Sequence, residues 1–167
     1  MAELQQLAAG HAPAVLGFEL ANRGYFAASI SDRGDVFFER FSELYGTLLA
    51  EQKAGGCAYY VLVDLDGAVL GRFNLYDIKD GSAELGYRVA QHVAGRGVAT
   101  ASVRELCRLA VTRHGLHTLR ATATHANVAS QKVLFKSGFV PVGPASIGGK
   151  AGTWFQRDLT ADVDGDD

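Results

Sequence analysis

The residue types that suggest chemistry first occur where an alternating run gives way to an amphipathic one. In Glu84–Arg113, ELGYRVAQHVAGRGVATASVRELCRLAVTR, the alternation stops before Gly95-Arg96-Gly97 and a helical pattern starts at Val98-Ala99-Thr100. Such a junction leaves backbone N–H groups unpaired at the positive end of a helix dipole, where an anion such as a pyrophosphate is favoured. A plain strand-to-helix turn that needs glycine fits the same residues. No Gly-Lys-Ser/Thr follows, so this is not a Walker loop, and Thr100 stands where the dinucleotide fingerprint requires Gly or Ala. Upstream, alternation puts Glu84 on one strand face with Gly86 and Arg88, opposite Ala83, Leu85, Tyr87 and Val89. A carboxylate there could act as a general base, lie on the surface, or pair with Arg88.

Other polar residues carry weaker signals. Asn127 suits a helix N-cap, and Ser130 reads equally as an ordinary first-turn serine. Arg96 and Lys132 are cations able to reach phosphates or solvent. His114, His117 and His125 have no carboxylate or thiol cluster beside them, so no metal site is expected. Cys107 falls on the stripe of Ala99, Val103, Leu106 and Ala110 and reads as a small core residue, which disfavours a ping-pong route through it.

The elements that must position these groups follow from periodicity. Ala14–Phe26 reads as a short strand followed by a turn or helical start. Asp35 to about Lys53 reads as one helix with Asp35 as N-cap, an aromatic face from Phe37, Phe41 and Tyr45, and Gly55-Gly56 beyond its end. Ala58–Asp64, Val69–Ile78 and Ser82–Val89 read as an antiparallel meander turned at Asp66-Gly67 and Lys79-Asp80-Gly81. A helix over about Gly97–His114 then leads to a half-buried strand at Thr118–Thr124, an order that allows parallel pairing of the flanking strands. A second helix starts at Asn127 and closes at Gly138, with Phe139 folding back on Leu134 in a Schellman turn. Val140–Val142 and Thr153–Leu159 read as final strands joined by a glycine-rich loop, Gly143–Gly152. The expected fold class is α+β, with a mixed, mostly antiparallel sheet.

Composition narrows the partners. The 167 residues, 48% hydrophobic, suit one domain over residues 1–160 followed by an acidic flexible tail, 161–167. A net charge of −2 gives no basic field for duplex nucleic acid, and no run of residues is apolar and long enough for a bilayer. Two unpaired cysteines, Cys57 and Cys107, fit a reducing compartment, so a soluble, cytoplasmic protein is expected.

Two stretches together resemble the GNAT-superfamily N-acetyltransferases, in particular the ribosomal-protein-alanine (RimJ/RimL-type) branch. Ala94-Gly95-Arg96-Gly97-Val98-Ala99 is similar to the Gln/Arg-x-x-Gly-x-Gly/Ala acetyl-CoA loop, and it follows Glu84-Leu85-Gly86-Tyr87, which resembles that branch's strand. Asn127-x-x-Ser130 with Val133-Leu134-Phe135-Lys136-Ser137-Gly138-Phe139 is the second match, in the right order. Ala94 departs from the pattern and lacks a side-chain contact that Gln or Arg would offer. The resemblance covers Ala58–Phe139 well and the N-terminal third weakly.

The resemblance implies a GNAT-like sheet containing a parallel β-α-β unit that holds acetyl-CoA, with no metal. It implies direct acetyl transfer to a primary amine, above all a protein N-terminal amine, with Glu84 as base and Ser130 as donor to the departing thiolate. A tyrosine one turn later serves that role in many relatives; here the position is Leu134. Cofactor contacts are implied for Tyr87, Arg88, Val89, Gly95, Arg96, Gly97, Val98, Ala99, Thr100, Asn127, Ser130 and Lys132. Two alternatives stand beside this reading: acetylation of a small amine such as an antibiotic or polyamine, and a non-catalytic module that senses acyl-CoA or binds a protein. A second copy of the chain, forming a homodimer, is a further candidate partner.

Overall fold

The structure is a computed structural model that describes residues 2–162, with 161 and 162 described by backbone alone. Of the acidic tail expected over 161–167, residues 163–167 lie outside the described residues. In chain order the elements are β1 (Glu3–Gln6), α1 (Ala12–Ala21), α2 (Arg23–Ala27), α3 (Asp35–Glu39), α4 (Phe41–Ala54), β2 (Ala58–Val63) and β3 (Val69–Lys79). They continue with β4 (Ser82–Val89), α5 (Val98–Thr112), β5 (Thr118–Thr124), α6 (Val128–Lys136), β6 (Val140–Ile147) and β7 (Lys150–Asp158). The strands form one sheet in the order β1-β2-β3-β4-β5-β7-β6, mixed and mostly antiparallel, with β4 and β5 parallel. The expected α+β class and the parallel pair flanking a helix are both found. By contact density the chain divides into two compact units. One holds the described residues up to Asn74 together with Tyr87–Ala94; the other holds Leu75–Gly86 together with Gly95 onward.

The first unit is built on β2, whose six residues are all buried. Tyr59, Val61 and Val63 pack with Val15 and Phe18 of α1, Phe26 of α2, and Phe41 and Tyr45 of α4. Here the sequence expectations need three corrections. Ala14–Phe26 is helical throughout most of its length, because Val15, Phe18, Asn22 and Phe26 recur at helical spacing and all four are buried. The single helix expected over Asp35–Lys53 breaks at Arg40 (φ −105°, ψ 21°), although Phe37 and Phe41 stay in edge contact across the break. Asp35 is not the cap: Gly34, at φ 88°, takes that place, and the Asp35 carboxylate accepts a hydrogen bond from Arg23. Strand β1 had no sequence signal, since ELQQ offers a single apolar residue, but it pairs antiparallel with β2 from Glu3↔Val63 to Gln6↔Tyr60. Gly55 closes α4 in the left-handed conformation as expected.

A buried carboxylate organises this unit's polar interior. Glu19 on α1 is 1% exposed and receives Arg33 Nε at 3.0 Å, Arg72 Nη1 at 2.9 Å and Arg88 Nη1 at 3.3 Å. Burial alone would raise its pKa, but the three guanidiniums outweigh burial and hold it below the usual carboxylate range.

The second unit has one sheet face covered by α5 and α6. Val103, Leu106, Cys107 and Ala110 of α5, and Leu134 of α6, are buried there with Leu119, Ala121, Ala123 and Phe155. Arg157 of β7, paired with Leu119, reaches the same layer and donates to the Ser137 carbonyl at 2.8 Å. The Schellman closure of α6 is formed as expected: Phe139 N–H donates to Leu134 O (3.0 Å) and Gly138 N–H to Phe135 O (3.1 Å), with Gly138 at φ 87°. The loop expected over Gly143–Gly152 is instead mostly strand. β6 and β7 form a hairpin turned at Gly148-Gly149 (φ 57° and 81°), and Ala123 O approaches Gly152 so closely that no side chain fits there.

Two predictions follow from these contacts. Glu19→Gln leaves three arginines around a neutral side chain and should cost about 3 kcal/mol in urea unfolding at neutral pH. Because the native pKa of Glu19 is depressed, its contribution is present above the unfolded pKa and lost as pH falls through the native one, so wild type and variant should converge in acid. Gly81 sits at φ 77°, its carbonyl accepts from His117 N–H at 2.8 Å, and a Cβ would collide with the His117 ring. Gly81→Ala should therefore cost about 2–3 kcal/mol, whereas Gly95→Ala, at φ 74° with no atom within 4 Å of a Cβ, should cost only about 1 kcal/mol.

Candidate active site

The glycine loop ends in an uncapped helix. Gly97 (φ 78°, ψ 0°) is the N-cap of α5, and having no side chain it leaves the first turn without a side-chain cap. The first helical bond is Ala101 N–H to Gly97 O at 3.0 Å, so the N–H groups of Val98, Ala99 and Thr100 precede the intrahelical ladder. Gly95 and Gly97 are both left-handed, and a Cβ on either would meet nothing within 4 Å. Glycine is therefore required here by the left-handed turn and not by crowding at its own Cα. That arrangement fits a phosphate or pyrophosphate group held by backbone donors and the helix dipole. Arg96 and Lys132 are exposed. Ala94, where the sequence lacks a Gln or Arg, donates its N–H to Gln91 O at 3.2 Å.

The second helix start is capped from within. Asn127 Oδ1 accepts from Ser130 N–H at 3.1 Å, which fixes Ser130 in the first turn of α6, six residues beyond the end of β5 at Thr124. α5 ends six residues before β5 begins and α6 starts just after β5 ends, so both helices run counter to β5 and open their N-termini towards its carboxyl end.

Glu84 stands on the opposite side of the sheet from those helices. The parallel register pairs Ala83 with Leu119, both buried, and Glu84 with Arg120, both on the other face. Thr122 and its β7 partner Trp154 share that face, and the Arg120 guanidinium lies 5.8 Å over the Trp154 ring. Burial raises the Glu84 pKa first, and the like charge of Asp77 raises it further, against a lowering by Arg120. Asp77 holds φ 51°, a left-handed conformation that Asp tolerates better than most residues. A half-buried carboxylate of raised proton affinity is a chemically suitable general base.

The remaining sequence candidates are placed as follows. Tyr87 stacks on Phe73 at 5.6 Å and 8°, and Val89 packs on Gly71. Arg88 gives Nη1 to Glu19 and lies 4.6 Å over the Phe26 ring. Cys107 is buried, which pushes its thiol up against the lowering effect of Arg157 and favours the unreactive protonated form. His117 contacts Thr118 Oγ1 at 2.9 Å and His125 contacts Thr153 Oγ1 at 3.4 Å, and among the described residues no three His, Cys, Asp or Glu gather as metal ligands. Among the described residues no helix is long and apolar enough to cross a membrane. Asp77, Arg120 and Trp154 were not singled out from the sequence. Only the alternation of Thr118–Thr124 hinted that Arg120 faces outward, and the pairing partner of that face could not be read from it.

Known proteins bear on this arrangement. The model of the acetyltransferase (GNAT) domain matches residues 4–140. No curated protein sequence matches the chain significantly. Among solved structures, the ribosomal-protein-S5-alanine acetyltransferase from Vibrio fischeri is similar at 21% identity and a TM-score of 0.87, over 95% of this chain and 93% of that one. RimJ from Mycobacterium smegmatis, in complex with CoA-disulfide, is similar at 24% identity and a TM-score of 0.84, over 96% of this chain and 83% of that one. A mutant of the spermidine N-acetyltransferase SpeG from Vibrio cholerae is similar at 18% identity and a TM-score of 0.78, over 99% of each chain. With the family model spanning most of its length, over a sheet with a parallel pair and a glycine-led helix start, this chain belongs to the GNAT acetyltransferase family.

Proposed function

We propose that the chain, as one catalytic domain over residues 1–160, moves an acetyl group from acetyl-CoA to a primary amine, above all the α-amine of a protein N-terminus. The observation that carries this reading is Glu84, a carboxylate of raised pKa on the open face of the strand pair whose crossover helix begins at the glycine loop. The N–H groups of Val98, Ala99 and Thr100 hold the CoA pyrophosphate, with Arg96 and Lys132 screening the phosphates. Glu84 takes a proton from the acceptor ammonium, and the freed nitrogen lone pair attacks the thioester carbonyl carbon. The C–N bond forms and the C–S bond breaks. The Ser130 hydroxyl gives its proton to the departing sulfur and is reprotonated, through solvent, by the second proton that the new amide nitrogen loses, while Glu84 releases the first to solvent. Orientation of the two substrates supplies much of the acceleration.

The likeness in fold to the ribosomal-protein-S5-alanine acetyltransferase and to RimJ supports a protein N-terminus as acceptor. The likeness to SpeG supports a polyamine as the second reading, and an acceptor panel containing alanine-initiated peptides and spermidine separates the two.

Calorimetry with acetyl-CoA should give saturable binding in the micromolar range; absence of heat at millimolar ligand would sink the enzymatic reading. Glu84→Gln and Ser130→Ala should each lower kcat by about ten-fold or more while changing acetyl-CoA affinity little. The acid limb of the kcat/KM profile should lie above the ordinary carboxylate range, since Glu84 must be ionised to work and its pKa is raised. Asp77→Asn, which keeps a residue tolerant of positive φ, removes a like charge and should move that limb to lower pH. An unmoved limb would assign the base elsewhere.

A further inference from the structure

Gly86 lies two residues after Glu84 on the same strand face, about 7 Å along the chain. A Cβ built there would stand 3.0 Å from Tyr76 Cε2, with Cδ2 and Cζ at 3.8 and 3.9 Å. The Tyr76 ring of β3 is therefore laid over the Gly86 backbone, on the face that carries Glu84 and Arg120, in the place a side chain would fill. Tyr76 remains 37% exposed, although most large aromatic residues of the chain are buried. The ring is thus seated where a side chain is missing and keeps part of its surface in solvent on the face that carries Glu84.

We propose that Tyr76 is a specificity-determining residue that forms one wall of the acceptor pocket beside Glu84. Its ring takes the carbon that bears the acceptor nitrogen and holds the ammonium by cation–π attraction until Glu84 removes the proton. Among the described residues, Asp77 from β3 and Arg120 from β5 are the charged groups that act on Glu84, and with both carboxylates ionised the three carry one net negative charge, which favours a cationic acceptor. The class of acceptor that fits is a primary ammonium on a slim aliphatic carrier, because Gly86 gives the ring its seat at the level of the strand backbone. Gly86 is thus retained for the ring rather than for backbone torsion; it has no positive φ. This inference rests on the assignment of Glu84 as base.

The test uses the full chain, acetyl-CoA and an alanine-initiated tripeptide amide, with free thiol release as the readout. Wild type should release thiol only with the peptide present; no peptide-dependent release overturns the acetyl-transfer reading and this proposal with it. Given wild-type turnover, Tyr76→Ala should raise the peptide KM roughly ten-fold with acetyl-CoA Kd unchanged, while Tyr76→Phe, which keeps the ring, should raise it less. Tyr76→Leu keeps apolar volume without the ring and should resemble Tyr76→Ala. Gly86→Ala, which displaces the ring, should raise the peptide KM in the same direction. The acid limb should move to lower pH in Tyr76→Ala as solvent reaches Glu84. An unchanged peptide KM and acid limb in Tyr76→Ala, or an equal loss of acetyl-CoA affinity, overturns the role of Tyr76 and leaves the Glu84 assignment standing.

Discussion

The register of the parallel pair is the constraint on which the candidate chemistry depends. Three consecutive pairs, Ser82↔Thr118, Ala83↔Leu119 and Glu84↔Arg120, join β4 to β5. Side chains alternate along a strand, so this register sends Ala83 and Leu119 into the layer under α5 and α6 and leaves Glu84 and Arg120 on the other face. A slip of one residue would bury the carboxylate against Leu106 and Cys107 and expose two apolar residues. The apolar requirement of the helix layer, not any property of Glu84, therefore decides where the carboxylate points.

The same layer positions the two helix starts. α5 is held by a continuous apolar stripe, Val103, Leu106, Cys107 and Ala110, and its first turn projects past that stripe with its N–H groups unpaired. α6 is pinned at its far end by Leu134, Phe139 and the Arg157 bond to Ser137, and its start is held locally, by the Asn127 bond with Ser130 and by Gln131 donating to the Thr124 and His125 carbonyls. The two ends differ chemically. One has no side-chain cap and suits an anion; the other satisfies itself and offers a serine at a fixed place.

Within the first unit, Glu19 and its three arginines do for the polar interior what the apolar cluster does around β2. Arg72 is 5% exposed, a cation that would be untenable without a carboxylate beside it. The arrangement also engages Arg88, whose Nη1 donates to the Glu19 carboxylate.

What the sequence determined was local. The alternation of Ser82–Val89 and Thr118–Thr124, the helical stripe of α5, the Asn127 cap and the Gly138 closure each rest on contacts within a few residues, and all are formed as read. The glycine loop was legible for the same reason, since a left-handed turn before a helix has few residue choices. Tertiary structure decided the rest. Strand β1 exists because β2 offers an edge, and α1 is helical because β2 buries one of its faces; neither ELQQ nor the glycine-broken run before Phe26 specifies that alone. The Gly143–Gly152 stretch extends into a hairpin because β5 pairs with β7 through Gly152. Tyr76, Asp77, Arg120 and Trp154 come to one face only through pairing between strands distant in sequence, and a single chain's periodicity does not encode which strands become neighbours.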